Sequence, residues 1–238
     1  TFSGTVTMSG TNTLSGATTV SGALTASGGA TISGTTPTLT IGDAGAEDTK
    51  IVFDGNAQDY HIGLDDSADT LVIGKGSALG TTSHIVIDAT GAVTKPLQPA
   101  FLAKSAAMSN LATATTHDVQ FSSEVFDQNG DYNTSNYTFT APVTGRYQLS
   151  CALKINNIDK DSDYYSANID AANTGVTIFA VKTPYLFSED TNYHQWAVSM
   201  LIDMDANDTA KVTFRPQAGA AQADINANES LFSGFLVC

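Results

Sequence analysis

Acidic side chains crowd one short stretch in the second half of the chain. Asp159, Asp161 and Asp163 have the alternating spacing of the first three ligands of a calcium-binding loop, and Asp170 occupies the twelfth place. Alternate carboxylates in a tight loop converge on a hard cation, so calcium is the candidate cofactor. Two features oppose it, because Tyr164 stands where such a loop needs glycine and the flanking sequence indicates no helices. The stretch predicts either a calcium site or an acidic connection between two strands, and we favour the connection.

Two neighbouring tyrosines follow the acidic residues. Exposed aromatic side chains in polar loops make good contacts with sugars and proteins. Tyr164 and Tyr165 are therefore the candidate receptor-binding residues. Aromatic side chains are equally at home in a hydrophobic core. The sequence leaves both interpretations open.

Residues typical of catalysis are scattered along the chain. The histidines adjoin neither a nucleophile nor a carboxylate motif, and the sequence contains no G-x-S-x-G, H-E-x-x-H or C-x-x-C. Glycosidase carboxylates are paired in space rather than in sequence, and nothing here points to such a pair. We therefore expect a protein that is not an enzyme. The histidines are His61, His84, His117 and His194.

The composition is acidic. Asp and Glu number 24 against 10 Lys and Arg, which gives a formal net charge of -14. Such a surface repels nucleic acid and anionic lipid, so we predict neither as a partner. No apolar run approaches the ~18 residues of a membrane span, which predicts no membrane insertion. The chain begins at Thr1 without Met or a signal peptide, and we expect it to be the C-terminal part of a longer protein.

Residues 1–38 are built from a repeat of six residues. Ser-Gly recurs at this spacing from residues 3–4 to residues 33–34, and Thr follows three residues after each of the first five glycines. Such regularity is typical of a stacked β-architecture. One apolar residue per hexad cannot close a core within one chain, so we predict a shaft of three intertwined chains, with a flexible linker as the alternative. The apolar sixth positions are Met8, Leu14, Val20, Ala26 and Ile32.

Residues 39–96 change to short alternating runs, which predict a small β-rich collar. Turn signals such as Asp54-Gly55 separate the runs, and the two prolines Pro96 and Pro99 mark the boundary to the next domain. The strands predicted here cover residues 39–41, 51–53, 60–64, 71–73 and 85–87.

Residues 97–238 have the pattern of an all-β sandwich, which we call the head. Within residues 126–147, Asn129-Gly130 predicts a turn, Tyr137 and Phe139 predict one face of a strand, and Pro142 ends that strand. After a turn at Gly145, apolar residues alternate again. Further strands are predicted over residues 193–203, where Trp196 faces the core, and over residues 211–214.

The head resembles a known family. F-D-x-x-G-x-Y followed by F-T-A-P-x-x-G-x-Y, within residues 126–147, is similar to the core motif of the globular head of complement component 1q, a jelly roll related to tumour necrosis factor. Residues 99–101 and 230–237 look like its first and last strands. The resemblance spans residues 97–238 and implies a homotrimer, because members of this family are trimers. It also keeps calcium open, since some of these heads bind it.

The same resemblance bears on the two cysteines. It places the strand that carries Cys151 beside the last strand, so that a pair with Cys238 is permitted but not required. Buried free thiols are the interpretation that we favour, because cysteine is commonly buried.

Together these segments predict an all-β fibre: an intertwined trimeric β-helical shaft, a small β collar and a C-terminal jelly-roll head. Phage tail fibres and trimeric adhesins are similar in their short Gly-rich β-repeats, and the collar resembles the small β modules of phage tail fibres. We therefore expect a trimeric phage tail fibre or receptor-binding protein on the virion, extracellular, whose head binds a host surface glycan or protein and whose missing N-terminus binds other virion proteins. The alternatives are a structural head fibre, decoration or spike protein, a polysaccharide-cleaving tailspike, and a bacterial adhesin or exosporium-type filament.

Overall fold

The computed structural model describes residues 8–11, 13, 15–173, 176–184 and 187–238. Its contacts divide the chain into two compact units, with the boundary between Asp43 and Ala44. Every strand found in the described residues lies in the second unit. Within the same residues, no helix has the length and hydrophobicity that crossing a membrane requires.

The described part of the hexad repeat leaves its apolar side chains in solvent. Met8, Val20 and Ile32, which end three of the hexads, are 59%, 52% and 53% exposed. Leu14 lies outside the described residues. A single chain thus provides no core for these side chains, and the intertwined shaft stays a prediction.

Residues 49–94 form a five-stranded antiparallel meander, the collar sheet, whose strands pair in chain order. Four of the strands predicted for this region are confirmed. The prediction over residues 39–41 is wrong, because Leu39 and Ile41 are exposed and no described strand pairs with them. A lone extended segment has no ladder to hold it. The collar strands are β1 (Thr49–Phe53), β2 (Tyr60–Asp65), β3 (Thr70–Lys75), β4 (Ser83–Ile87) and β5 (Val93–Thr94).

Aspartate side chains close two of the collar turns. Between β2 and β3, the Asp65 carboxylate accepts hydrogen bonds from Ser67 Oγ at 2.8 Å and from the Ala68 amide at 3.2 Å. Between β4 and β5, Asp88 accepts from the Thr90 amide at 2.8 Å and from the Ala92 amide at 3.0 Å. These bonds explain why Asp marks the turns of this meander.

The head consists of two facing sheets. One has the strand order β13-β12-β15-β10-β9, with β7 beside β15, and the other has the order β14-β11-β17-β6-β8, with β16 beside β11. β6 at the start of the domain pairs with β17 at its end, so this sheet brings the two ends of the domain together. The strands are β6 (Ala100–Lys104), β7 (His117–Asp118), β8 (Ser123–Asp127), β9 (Tyr132–Asn133), β10 (Thr138–Thr140), β11 (Gly145–Asn156), β12 (Tyr164–Ala171), β13 (Val176–Lys182), β14 (His194–Met204), β15 (Thr209–Gln217), β16 (Asp224–Ile225) and β17 (Leu231–Leu236).

The core of the head lies between these two sheets. Alternate side chains of β11 point inward and are buried, as the pattern predicted, and Trp196 on β14 is 3% exposed. Phe101 stacks on Tyr132 and on Phe139, with 4.9 Å between ring centroids in each pair. The prediction that Tyr137 shares a strand face with Phe139 is wrong. Tyr137 precedes β10 at a positive φ of 60° and turns the chain into the strand.

The two cysteines are far apart although their strands are neighbours. The amide of Arg146 donates to the carbonyl of Cys238, which places Cys238 beside the start of β11. Cys151 lies five residues farther along that strand, roughly 17 Å away at strand rise, whereas a disulfide needs Cα atoms within about 7 Å. Cys151 is buried as expected, but Cys238 is exposed, so its predicted burial is wrong.

Candidate binding surfaces

Asp159 holds two loops together at one end of the head. Its side chain is buried, and its carboxylate accepts hydrogen bonds from the amide of Asp161 at 2.8 Å and from the amide of Ala220. The amide of Asp159 in turn donates to the hydroxyl of Tyr165 at 3.0 Å. Both carboxylate oxygens therefore serve backbone amides, which makes Asp159 a brace between the β11–β12 and β15–β16 connections.

The other three aspartates of the predicted calcium loop do not join Asp159. Asp161 is exposed and pairs with Lys160 at 2.6 Å, and Asp163 is exposed as well. Asp170 lies near the far end of β12, where it accepts from Thr213 Oγ1 at 2.8 Å. In the described part of the chain, no three Asp, Glu, His or Cys side chains come together as a metal site.

The reason is the strand β12, which begins immediately after Asp163. Tyr165, Ala167 and Ile169 alternate inward on it and are buried, so the chain is extended where a calcium loop would turn. Asp170 lies six steps along the strand from Tyr164, which is about 20 Å at strand rise. The four residues therefore do not form the calcium geometry. They form the acidic connection between two strands that we favoured.

Tyr165 belongs to the core. It is wholly buried, its ring stacks on Phe214 with centroids 5.9 Å apart, and Trp196 lies at the same distance. Its hydroxyl accepts from Ser162 Oγ at 3.1 Å. Desolvation raises the pKa of Tyr165. The prediction of Tyr165 as an exposed receptor contact is wrong, because neighbouring residues on a strand point to opposite faces.

Tyr164 points to the outer face of its sheet, where it is half-buried. It lines a shallow groove of about 320 Å³ together with Ser166, Asn168 and Val181. The Asn168 side-chain amide donates to Thr213 Oγ1 at 3.2 Å, which restrains its rotamer. An aromatic ring beside hydroxyl and amide groups offers a flat apolar surface and hydrogen bonds, the contacts that a sugar ring can use.

The other sheet of the head presents a more apolar outer surface, which we call the head face. Leu201 of β14 and Phe235 of β17 flank Gln148 in one cross-strand row, and they are 58% and 49% exposed. The next row ends with Leu102 and Phe126 on neighbouring strands. Leu102 is partly buried and Phe126 is 49% exposed, so three large apolar side chains of this face, Leu201, Phe235 and Phe126, lie in solvent within one chain.

The family motifs correspond to specific contacts at the start of the head. The Asp127 carboxylate accepts from the amides of Gly130 at 3.1 Å and Tyr132 at 2.8 Å, and Gly130 has a positive φ of 75°. At Gly145, a Cβ atom would stand 2.7 Å from Leu236 Cδ1 and 2.8 Å from the Cys238 carbonyl oxygen. The glycines are thus required by a left-handed turn and by the close approach of the C-terminal strand.

Residues 100–237, more than half of the chain, match the sequence description of the C1q domain. The chain belongs to the C1q domain family. Domains of the C1q and tumour necrosis factor type typically form trimers and are extracellular. No curated protein matches the chain.

Solved structures similar to this chain include the globular domain of zebrafish complement 1qA protein, with 16% identity and a TM-score of 0.45, over 59% of this chain and 98% of that one. Murine APRIL at pH 8.0 matches with 10% identity and a TM-score of 0.44, over 59% of this chain and 99% of that one.

Sequence reasoning found the C1q domain but missed its head face. A signal was present, because Leu201 stands in the predicted strand on the side opposite to Trp196 and Met200. Leu231 and Phe235 likewise alternate with the buried Phe232. Apolar residues on both faces of a strand are typical of strands that are buried on both faces.

Proposed function

We propose that this protein is a homotrimeric fibre of a phage virion, a tail fibre or receptor-binding protein that attaches to a host surface glycan or protein through its C1q head. The observation that carries the proposal is the order of the segments. A Gly-rich hexad repeat, whose apolar sixth residues find no core in one chain, precedes the C1q domain.

The trimer is supported by the head face. Leu201, Phe235 and Phe126 are each about half exposed in the single chain. Three copies that pack these surfaces around a common axis would remove them from water, at a gain of roughly 25 cal/mol for each Å² of apolar area. The same threefold symmetry gives the hexad repeat three apolar residues in each layer.

Attachment in this proposal is non-covalent recognition. The groove beside Tyr164 is the candidate contact surface, and a trimer presents three such grooves on one rigid body. Linked sites bind with an avidity that can exceed the single-site affinity by 10²–10⁴, roughly, so each contact can be weak. The protein has no catalytic role here, it acts outside the cell as part of the virion, and its N-terminal neighbours are other virion proteins.

Two measurements test the proposal. Light scattering of the full chain should give a mass of about 74 kDa, three times the 24.7 kDa chain. The fluorescently labelled protein should bind saturably to cells of a bacterial panel, and Tyr164→Ala should weaken that binding. Tyr193→Ala is the matched control, because Tyr193 is a 69% exposed tyrosine elsewhere on the head.

Other results would point to the rival functions. A monomer in solution would contradict the proposal of a trimeric fibre. A trimer that binds none of the cells would favour a structural virion fibre, and release of reducing ends from extracted host polysaccharide would make the protein a tailspike enzyme.

A further inference from the structure

The collar sheet has one strongly apolar side, which we call the collar face. Its residues lie in straight cross-strand rows, because residues opposite each other in a ladder point to the same face. Seven of the large side chains on this face are between 37% and 60% exposed, and Ile62, Ile85 and Ile87 are partly buried. The first row is Ile51, Ile62, Ile73 and Ile85, the second is Thr49, Leu64, Leu71, Ile87 and Val93, and the third is Phe53, Tyr60 and Lys75.

The reverse side of the collar sheet is covered by the chain itself. The loop of residues 76–82 lies over it, where Lys50 Nζ donates to the Ser77 carbonyl at 2.7 Å and His61 Nδ1 lies 2.8 Å from the Gly76 carbonyl oxygen. Leu79 packs so closely on Gly63 that a Cβ there would stand 2.9 Å from its Cδ1 atom. Val72 and His61 on this side are buried, whereas Val52 on the edge strand β1 is 37% exposed.

The collar face is also poor in charge. The chain has 24 acidic residues, yet the three rows of the collar face contain none, and Lys75 at one margin is their only charge. Copies of this chain carry a net charge of -14 each and repel one another. A surface without carboxylates is where such copies can approach at least electrostatic cost.

The collar is also firmly attached to the head. The Gln128 side-chain amide donates to the carbonyl oxygens of Lys95 at 2.9 Å and of Gln98 at 2.7 Å. The Gln98 side chain in turn donates to the carbonyl of Leu236 on β17. The bond between Gln128 and Lys95 joins the end of the collar segment to the residue that follows β8, the edge strand of the sheet that carries the head face.

We propose that the collar face packs against the same face of two further copies, so that three collar sheets form a three-sided prism with an aliphatic interior. This inference rests on the trimer of the proposed function. The collar stands in sequence between the hexad repeat and the head, both of which call for three chains, so the partner sheets are held nearby at high effective concentration. A single sheet with one open apolar face otherwise lacks the second layer that a stable domain needs.

The test is thiol labelling of the full chain with a maleimide reagent. Leu71→Cys places a thiol on the middle strand of the collar face, at a position 43% exposed in the single chain. Ala78→Cys is the matched control on the exposed covering loop. Both are made in a Cys238→Ser background. In the prism, we expect the thiol at position 71 to react about tenfold or more slowly than the control, because reactivity follows access. A short bis-maleimide should link chains through position 71.

A third variant, Leu201→Cys on the head face, separates this inference from the proposed function. Slow labelling at positions 71 and 201 in a trimer supports both. Slow labelling at position 201 with fast labelling at position 71 contradicts the proposed packing of the collar faces but agrees with the trimer of the proposed function. A monomer with both positions fast overturns both, and a monomer protected at position 71 would mean that the chain covers its own collar. Should Leu71→Cys fail to fold, Leu64→Cys, its 45% exposed cross-strand neighbour, takes its place.

Discussion

The head and the collar are both antiparallel β-structures, and they differ in where their cores come from. In the head, two sheets of one chain face each other, and the side chains between them are almost completely buried. In the collar, the chain supplies one sheet and a covering loop, and Val72 is the single buried hydrophobic side chain of residues 44–96. The head therefore carries its second layer within the chain, whereas the collar must obtain it from elsewhere.

The difference follows from the range of the pairings. The collar pairs each strand with the next, so its sheet forms from local contacts but has no far segment to fold back over it. The head pairs β6 with β17, more than a hundred residues apart. Non-local pairing costs chain entropy and is slow to form, but it closes the domain. We expect the head to fold within one chain, with trimerisation adding to its stability, and the stability of the collar to depend more strongly on protein concentration.

The largest effect should come from the aromatic core of the head. Phe101 stacks on two rings and meets Phe232 edge-on at 5.0 Å. Phe101→Ala should lower the free energy of unfolding by about 3–5 kcal/mol, because it leaves a cavity that the surrounding rings cannot close. Thermal unfolding followed by the fluorescence of Trp196, the only tryptophan, measures this loss.

The loss from Phe101→Ala should be equal at every protein concentration if the core belongs to one chain. Phe126→Ala provides the contrast, because this phenylalanine is 49% exposed in one chain and is covered only in the proposed trimer, so its cost should fall as the protein is diluted. A loss that vanished at high concentration would break the comparison, since the head would then also depend on its neighbours.

A smaller effect is expected on the collar face. Leu71→Asp should destabilise the assembled collar by about 2–3 kcal/mol per chain, because it removes a buried leucine and introduces a carboxylate near like copies. Far-ultraviolet circular dichroism should lose part of its strand signal at a lower temperature, while the transition of Trp196 in the head changes little. Ala78→Asp is the control on the covering loop. An equal shift of both transitions would mean that collar and head unfold as one.

The strands of both regions could be predicted from the sequence, since alternation and turn residues act locally. The burial of Trp196 and the start of β11 at Gly145 follow from such patterns. Such patterns do not predict which part of the chain covers the other side of a sheet. Leu79 packs on Gly63, the cross-strand neighbour of Val72, and this contact depends on how the loop of residues 76–82 folds back, which no periodicity marks.

The candidate sites were harder to predict for the same reason. Tyr164 and Tyr165 are adjacent and chemically identical, so that only the phase of β12 decides which one is buried. The spacing of Asp159 and Asp170 suits a calcium loop only if the chain between them turns. The buried alternation of Ala167 and Ile169 makes it extend instead. The alternation of the strand can be read from the sequence, but the spacing of the aspartates before it also fits a calcium loop, so the residue at which the strand begins could not be predicted.

A still smaller effect on the stability of the head is expected from Asp159, whose side chain braces two loops. Asp159→Ala should cost about 1–2 kcal/mol, because two backbone amides lose their carboxylate partner in a buried place. Asp163→Ala, an exposed aspartate of the same loop, should change stability far less. Both are measured by the Trp196 transition. A chelator should leave the wild-type midpoint unchanged, and a chelator-induced fall in that midpoint would restore the calcium interpretation.

The smallest effect concerns pH and the turn between β4 and β5 of the collar. Hydrogen bonds from the Thr90 hydroxyl and from the Ala92 amide lower the pKa of Asp88 below its ordinary value of 3.8. A carboxyl group whose pKa is lower in the folded state stabilises the fold above the unfolded pKa, and it loses this contribution as the pH falls through the folded value. Asp88→Asn should therefore weaken the collar slightly at pH 6, and the difference from wild type should fade below pH 3.8.

The head contains a matched carboxylate for this comparison. Lys154 and Asn226 lower the pKa of Glu229 by hydrogen bonding, so Glu229→Gln should show the same direction of pH dependence. If collar and head are separate in stability, the Asp88 variant shifts the circular dichroism transition of the collar, and the Glu229 variant shifts the fluorescence transition of Trp196. A pH-dependent shift of the Trp196 transition in the Asp88 variant would instead couple the two regions, because a turn of the collar would then stabilise the core of the head.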